Sequence, residues 1–181
     1  MTLTAATLLP GLFLVLLGGL LVWGDPRVRS TAQALPRSNR AAWLFFGAGA
    51  LWFLWRVSTL GEADLIFFAR PWPVLIAFAL LALLAFVYTP DFLAVRGLCV
   101  LMLLVAEPLL QAAFMEYERP QRLLMVAAVY VGLALSIYLA AAPYRLRDFF
   151  EWLFRAPGRA RWFGAALLAY GLATSAAAFT Y

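Results

Sequence analysis

The stretch FLAVRGLCVLMLLVAEPLLQAAF, residues Phe92–Phe114, decides the fold. Only Arg96, Glu107 and Gln111 interrupt its apolar character, and the run is continuous where a half-buried strand would alternate. At about 1.5 Å of rise per residue, a helix of this length covers the roughly 30 Å hydrocarbon core of a bilayer. Runs of the same kind, rich in Leu and Ala, occupy Ala5–Trp23, Ala41–Val57, Trp72–Tyr88, Arg122–Ala142 and Arg161–Phe179. The sequence therefore predicts an all-α fold, a polytopic membrane protein whose six transmembrane helices form a single bundle over residues 1–181. The first run has no basic segment ahead of it and exceeds the roughly 7–15 apolar residues of a signal sequence, so it is expected to remain as a span.

Composition points the same way. Hydrophobic residues make up 66% of the chain and charged residues 13%, with a mean hydropathy of +0.89. A soluble domain carries about 25% charged residues, so lipid is the expected solvent for most of this surface and the bilayer the first expected partner. Close helix approach is expected at Gly18-Gly19 and at Gly47 and Gly49.

The missing residue types exclude much chemistry. There is no histidine, every one of the 14 basic residues is arginine, and Cys99 is the single cysteine. Histidine-ligated haem or zinc, a lysine Schiff base, Ser-His-Asp catalysis and CxxC redox exchange are all ruled out. No catalytic residue, no metal and no cofactor is expected. The net charge of +5 would raise nucleic acid as a partner in a soluble protein, but here the arginines sit between apolar runs without a base-stacking platform. Nucleic acid is not expected.

Membrane orientation accounts for the arginines better. The loops joining spans one to two, three to four and five to six, with their flanks, hold Arg27, Arg29, Arg37, Arg40, Arg96, Arg145, Arg147, Arg155, Arg159 and Arg161. The opposite side holds Arg56, Arg70, Arg119 and Arg122. The positive-inside bias predicts that both termini are non-cytoplasmic, in the cytoplasmic membrane if the cell is bacterial. Trp23, Trp43, Trp152 and Trp162 fall at the arginine-rich ends and Trp52, Trp55 and Trp72 at the others, as interfacial belts would.

Tyr144–Arg155 reads as an amphipathic helix in the cytoplasmic interface, between the fifth and sixth spans. At 100° per residue Leu146, Phe149, Phe150, Leu153 and Phe154 share one arc, opposite Arg145, Arg147, Asp148, Glu151 and Arg155. Arg147–Glu151 and Glu151–Arg155 are i,i+4 pairs of opposite sign. The turns Asp25–Arg29 and Pro143–Arg147 resemble one another, each followed by a second proline with arginine four residues on, and Pro90–Gly97 looks like a shortened version. Three related hairpins would result. The outer loop Ser58–Pro71 is expected to dip its Leu65–Phe68 patch into the interface, with Glu62, Asp64 and Arg70 around it; Glu116, Glu118 and Arg119 form a second, solvated turn.

Within the spans, the charge that demands explanation is Glu107, followed at once by Pro108. An ionised, unpaired carboxylate at membrane depth costs several kcal/mol. Pro108 removes a backbone donor and bends the helix, freeing a carbonyl one turn earlier. On the helical wheel Arg96, Val100, Leu103, Glu107, Gln111 and Phe114 form a stripe, expected to face the bundle interior or a cavity. Arg96 lies roughly 16 Å along the axis from Glu107, too far to pair. At matching depth stand Tyr130, Tyr170 and Thr174, while Arg56 at the end of the second span either reaches inwards or snorkels out.

Two functions lead the expectations, ahead of a lipid-modifying enzyme using Glu107. In one, the protein is a small integral membrane channel or carrier for an ion, proton or small solute, its Glu-Pro kinked fourth helix lining the path; at 20.1 kDa a homo-oligomer would be needed to enclose it. In the other it is a non-catalytic membrane-embedded subunit or scaffold of a larger membrane complex, with Glu107 accepting hydrogen bonds from tyrosine to hold helices together.

Overall fold

A computed structural model describes residues 1–61 and 72–181. The expected interfacial dip of Leu65–Phe68, with Glu62, Asp64 and Arg70, lies outside the described residues. Helix makes up 84% of the structure, and no strand occurs among the described residues. The elements are α1 (Leu3–Trp23), α2 (Pro26–Ala34), a 3-10 turn (Leu35–Arg37), α3 (Asn39–Ser58), α4 (Trp72–Tyr88), α5 (Leu93–Ala113), α6 (Arg122–Ala141), α7 (Tyr144–Arg155) and α8 (Pro157–Ala177).

Four of these, α1, α3, α5 and α6, are long and apolar enough to cross a membrane. α4 is apolar but has only 17 residues. α8 has 21, yet it opens on Pro157-Gly158-Arg159-Ala160-Arg161, which dilutes its hydropathy. By length and composition, four of the six expected crossings are evident.

Local signals set the helix ends. The Thr2 and Ser38 hydroxyls accept from the Ala5 and Ala41 amides, each at 3.3 Å, capping α1 and α3. Gly24 closes α1 at φ 70°, a left-handed conformation open to a residue without Cβ. Asp25 then accepts from the Arg27 amide at 2.7 Å and Pro26 takes the first helical position, so α2 begins at once. Residues 26–34, expected as part of a loop, are therefore helical. The first and third turns share a plan of surface helix, proline and long helix. The middle turn after Tyr88, expected as a shortened version, has no helix of its own.

Two close helix pairs build the bundle. α1 and α8 run antiparallel along a seam in which Gly11 faces Gly171 and Gly18 faces Gly164. A Cβ at Gly171 would stand 2.7 Å from the Gly11 carbonyl oxygen, and one at Gly164 would stand 2.8 Å from that of Gly18. α3 and α5 run parallel, with Gly97 against Phe46 and Gly49 against Val100. α6 packs on α5, and α4 lies outermost, holding α3 through Phe86 between Trp43 (centroids 4.3 Å) and Phe46 (5.2 Å) and through Phe53–Phe78 (5.0 Å). Leu3, Ala6, Ala106, Leu109, Ala113, Met125 and Val129 form the main core at one end. The Thr7 and Tyr181 hydroxyls share a hydrogen bond there at 3.1 Å, placing both termini at that end. α2, the 3-10 turn and α7 gather at the other.

α7 has the bounds and the two-faced pattern expected of it, but its apolar arc does not simply float in lipid. The helix packs on α2, α8 and the 3-10 turn. Leu153 is 1% exposed, and Phe149 meets Phe163 of α8 edge-on at 5.6 Å. Arg159 donates to the Trp152 carbonyl at 2.7 Å, satisfying a last-turn acceptor, and lies over the indole at 4.4 Å. On the polar arc Arg147 pairs with Asp148 at 2.8 Å and approaches Glu151 at 3.7 Å. The hydrogen bond that Arg147 donates to Asp148, with the charge of that carboxylate, raises the pKa of the Arg147 guanidinium above its ordinary value. No Glu151–Arg155 pair forms among the described residues. Leu153→Ser should therefore release α7 and speed tryptic cleavage after Arg147 several-fold, while Tyr144→Ser, at an exposed position at the start of the helix, should not. An unchanged rate for Leu153→Ser would mean that lipid alone holds the helix.

Candidate functional site

Glu107 is positioned by α5 six residues before its end at Ala113, about 9 Å along the axis. Arg56 is positioned by the last turn of α3. The two helices keep one register: Phe46–Gly97, Gly49–Val100 and Arg56–Glu107 are each 51 residues apart. Glycine at 97 lets the backbones meet, and that approach brings the two charges level. The Arg56 Nη2 donates to Glu107 Oε1 at 2.5 Å. Arg56 thus reaches across to α5 at its own level along the helices.

The pair sits on the outside of the bundle. The Arg56 and Glu107 side chains are 45% and 54% exposed. Gln111, one turn further along α5, is exposed, as are Leu103 and Phe114. The polar stripe expected to face the interior or a cavity therefore turns outward over this half of α5. The reason is packing: the opposite side of the helix carries Ala106, Leu109 and Ala113, which bury against α1 and α6. Pro108 lies inside α5, and the helix continues on both sides of it.

The remaining expected residues are elsewhere. The Tyr170 hydroxyl donates to the Leu124 carbonyl at 2.8 Å, tying α8 to α6. Thr174 is fully buried and donates to the Tyr170 carbonyl at 2.9 Å. Tyr130 is 59% exposed on α6. Arg96 is half-buried near the other end of α5. The tyrosine glue expected at Glu107 is replaced by Arg56; the Tyr170 hydroxyl ties α8 to α6 instead, and that of Thr174 bonds within α8.

Arg122 is the residue that sequence reasoning passed over. It donates through Nη1 to the Ala113 carbonyl at the end of α5, and its guanidinium lies over Tyr117 at 5.1 Å. The signal was available, because an arginine opening one apolar helix just after another ends is placed to reach the unpaired last-turn carbonyls. Among the described residues no group of three His, Cys, Asp or Glu side chains could hold a metal ion. Comparison with protein-family models, curated proteins and solved structures gave no match to the chain.

Proposed function

We propose that the chain is a non-catalytic membrane-embedded subunit that assembles with a second copy of itself through the α3–α5 face, with Arg56 and Glu107 at the centre of the contact. The observation that carries this reading is the half-exposed ion pair on the outward side of two apolar helices. Acyl chains offer such a pair neither hydrogen bonds nor solvation. A twofold axis parallel to the helices would set Arg56 of one copy opposite Glu107 of the other, since the two charges lie level and the face is self-complementary. Each carboxylate would then meet two guanidiniums, and the pairs would leave the lipid.

A membrane setting supports this reading beyond the four crossings evident from length and composition. α8 follows α1 along its glycine seam, so it crosses wherever α1 does, and α4 completes six spans at the short limit of length. With the arginine-rich end at the cytoplasm, both termini lie outside.

Co-expression of two differently tagged chains tests the assembly. An Arg56→Glu chain has two acidic groups on this face and a Glu107→Arg chain two basic ones, so each repels its own kind and attracts the other. Mixed pairs should be captured at the expense of like pairs, and the double exchange in one chain should restore self-association. Random pairing of the tags would defeat the proposal. A solute path is a second reading, favoured by Glu107 and Gln111 sharing the outward face. Such a channel or carrier would run between copies.

A further inference from the structure

Beyond the assembly face, we infer that the recess between the end of α5 and the first turns of α6 is a binding site for a phospholipid with a negatively charged headgroup, Arg122 taking the phosphate. The recess measures about 290 Å³ and is lined at its upper end by Arg122 and Tyr117 and below by Leu110, Leu123, Val126 and Tyr130. Its chemistry changes in one direction. A guanidinium stands at the helix terminus, and from there positions 122, 126 and 130 descend one face of α6, about 12 Å along the axis. Cation above and apolar groove below is the pattern of a charged headgroup joined to an acyl chain. A small soluble anion would use only the upper part.

Arg122 is prepared for this role. Its bond to the Ala113 carbonyl and its place over the Tyr117 ring fix the guanidinium plane, so little side-chain freedom remains to be lost on binding. The single carbonyl leaves most of the five guanidinium donors available, and the buried Nε has no acceptor among the described residues. A planar fork with spare donors matches phosphate oxygens. The neighbouring cation is committed elsewhere: Arg119 lies 3.8 Å from Glu116 and over the Tyr181 ring at 5.9 Å. The groove walls face outward, with Leu123 57% exposed and Tyr130 59% exposed, so a lipid enters sideways from the bilayer.

Native mass spectrometry of the detergent-purified chain tests the site. Phosphatidylglycerol and phosphatidylcholine of equal chain length are offered in equal amounts, with inorganic phosphate as a separate arm. Phosphatidylglycerol should be retained preferentially, and Arg122→Gln should weaken its retention about tenfold, the loss expected for a charge-assisted contact. Arg122→Lys keeps the charge but not the fork, so its retention should fall between those of the parent and Arg122→Gln. Arg119→Gln, which removes the same charge from the same end, should leave it unchanged. Leu123→Trp, on the outer wall, should impair lipid retention without touching the Ala113 contact, which keeps the test open if Arg122→Gln fails to fold. Equal losses at Arg119 and Arg122, or no preference for phosphatidylglycerol, would overturn the inference. Displacement of the lipid by inorganic phosphate would show an anion site without a lipid groove and would overturn it too.

Discussion

Gly97→Ala should be among the most damaging single-methyl changes in the protein. The added Cβ would overlap the backbone nitrogen of Phe46, and backbone cannot swing aside as a side chain can. α3 and α5 must separate along their parallel seam, at a cost of about 1–3 kcal/mol or more for overpacking a close contact. Separation would also pull Arg56 away from Glu107, so the change acts on the site from a distance of several turns. Thermal unfolding in detergent should show a drop of several degrees. Gly47→Ala, where a Cβ would meet nothing within 4 Å, serves as the control and should leave the transition in place or raise it slightly. Equal behaviour of the two variants would place the α3–α5 contact wrongly.

The second large effect is expected at Glu107. Glu107→Leu leaves the Arg56 guanidinium without its carboxylate and should cost about 1–3 kcal/mol. Glu107→Gln keeps an acceptor for Arg56 and should cost clearly less. The same pair of variants separates the two functional readings. If copies enclose a proton or ion path, Glu107→Gln should sharply reduce flux in proteoliposomes while unfolding changes little. If the face only joins copies, flux is absent from the start and the substitutions alter self-association alone. A Leu variant as stable as the parent would show that the Arg56–Glu107 bond holds nothing together.

The long helices were legible because each is a continuous apolar run, and lipid exposure and core burial both demand the same residues. That identity is also why the wheel misdirected the polar stripe. In a soluble helix, polar residues mark the outside, whereas in a membrane they are expected inside. Here Ala106, Leu109 and Ala113 take the inward side by virtue of small size and close fit, and polarity alone did not reveal this. The seam of Gly11, Gly18, Gly164 and Gly171 was legible only in part. Gly18 stood out beside Gly19, but its counterpart in α8 depends on which distant helix lies opposite. α2 escaped because a helix with no buried residue has no apolar period to display. The Arg56–Glu107 pair was among the alternatives in the sequence, and the common register of α3 and α5 selected it.

The pairing of α1 with α8 carries a consequence for how the chain is made. α1 leaves the ribosome well before its principal neighbour α8, which follows more than a hundred residues later. Between Trp23 and Pro157 synthesis takes on the order of 10 s at about 5–20 residues per second. For that interval the glycine face of α1 is open to lipid, to chaperones or to another nascent copy. The bundle's longest-range contact is then made last, after α3, α5 and α6 have had time to associate. Non-local closure of this kind slows folding more than it alters the final stability. A lesion in the α8 glycines should therefore show as poor yield and early degradation as well as a lowered unfolding temperature in the fraction that folds.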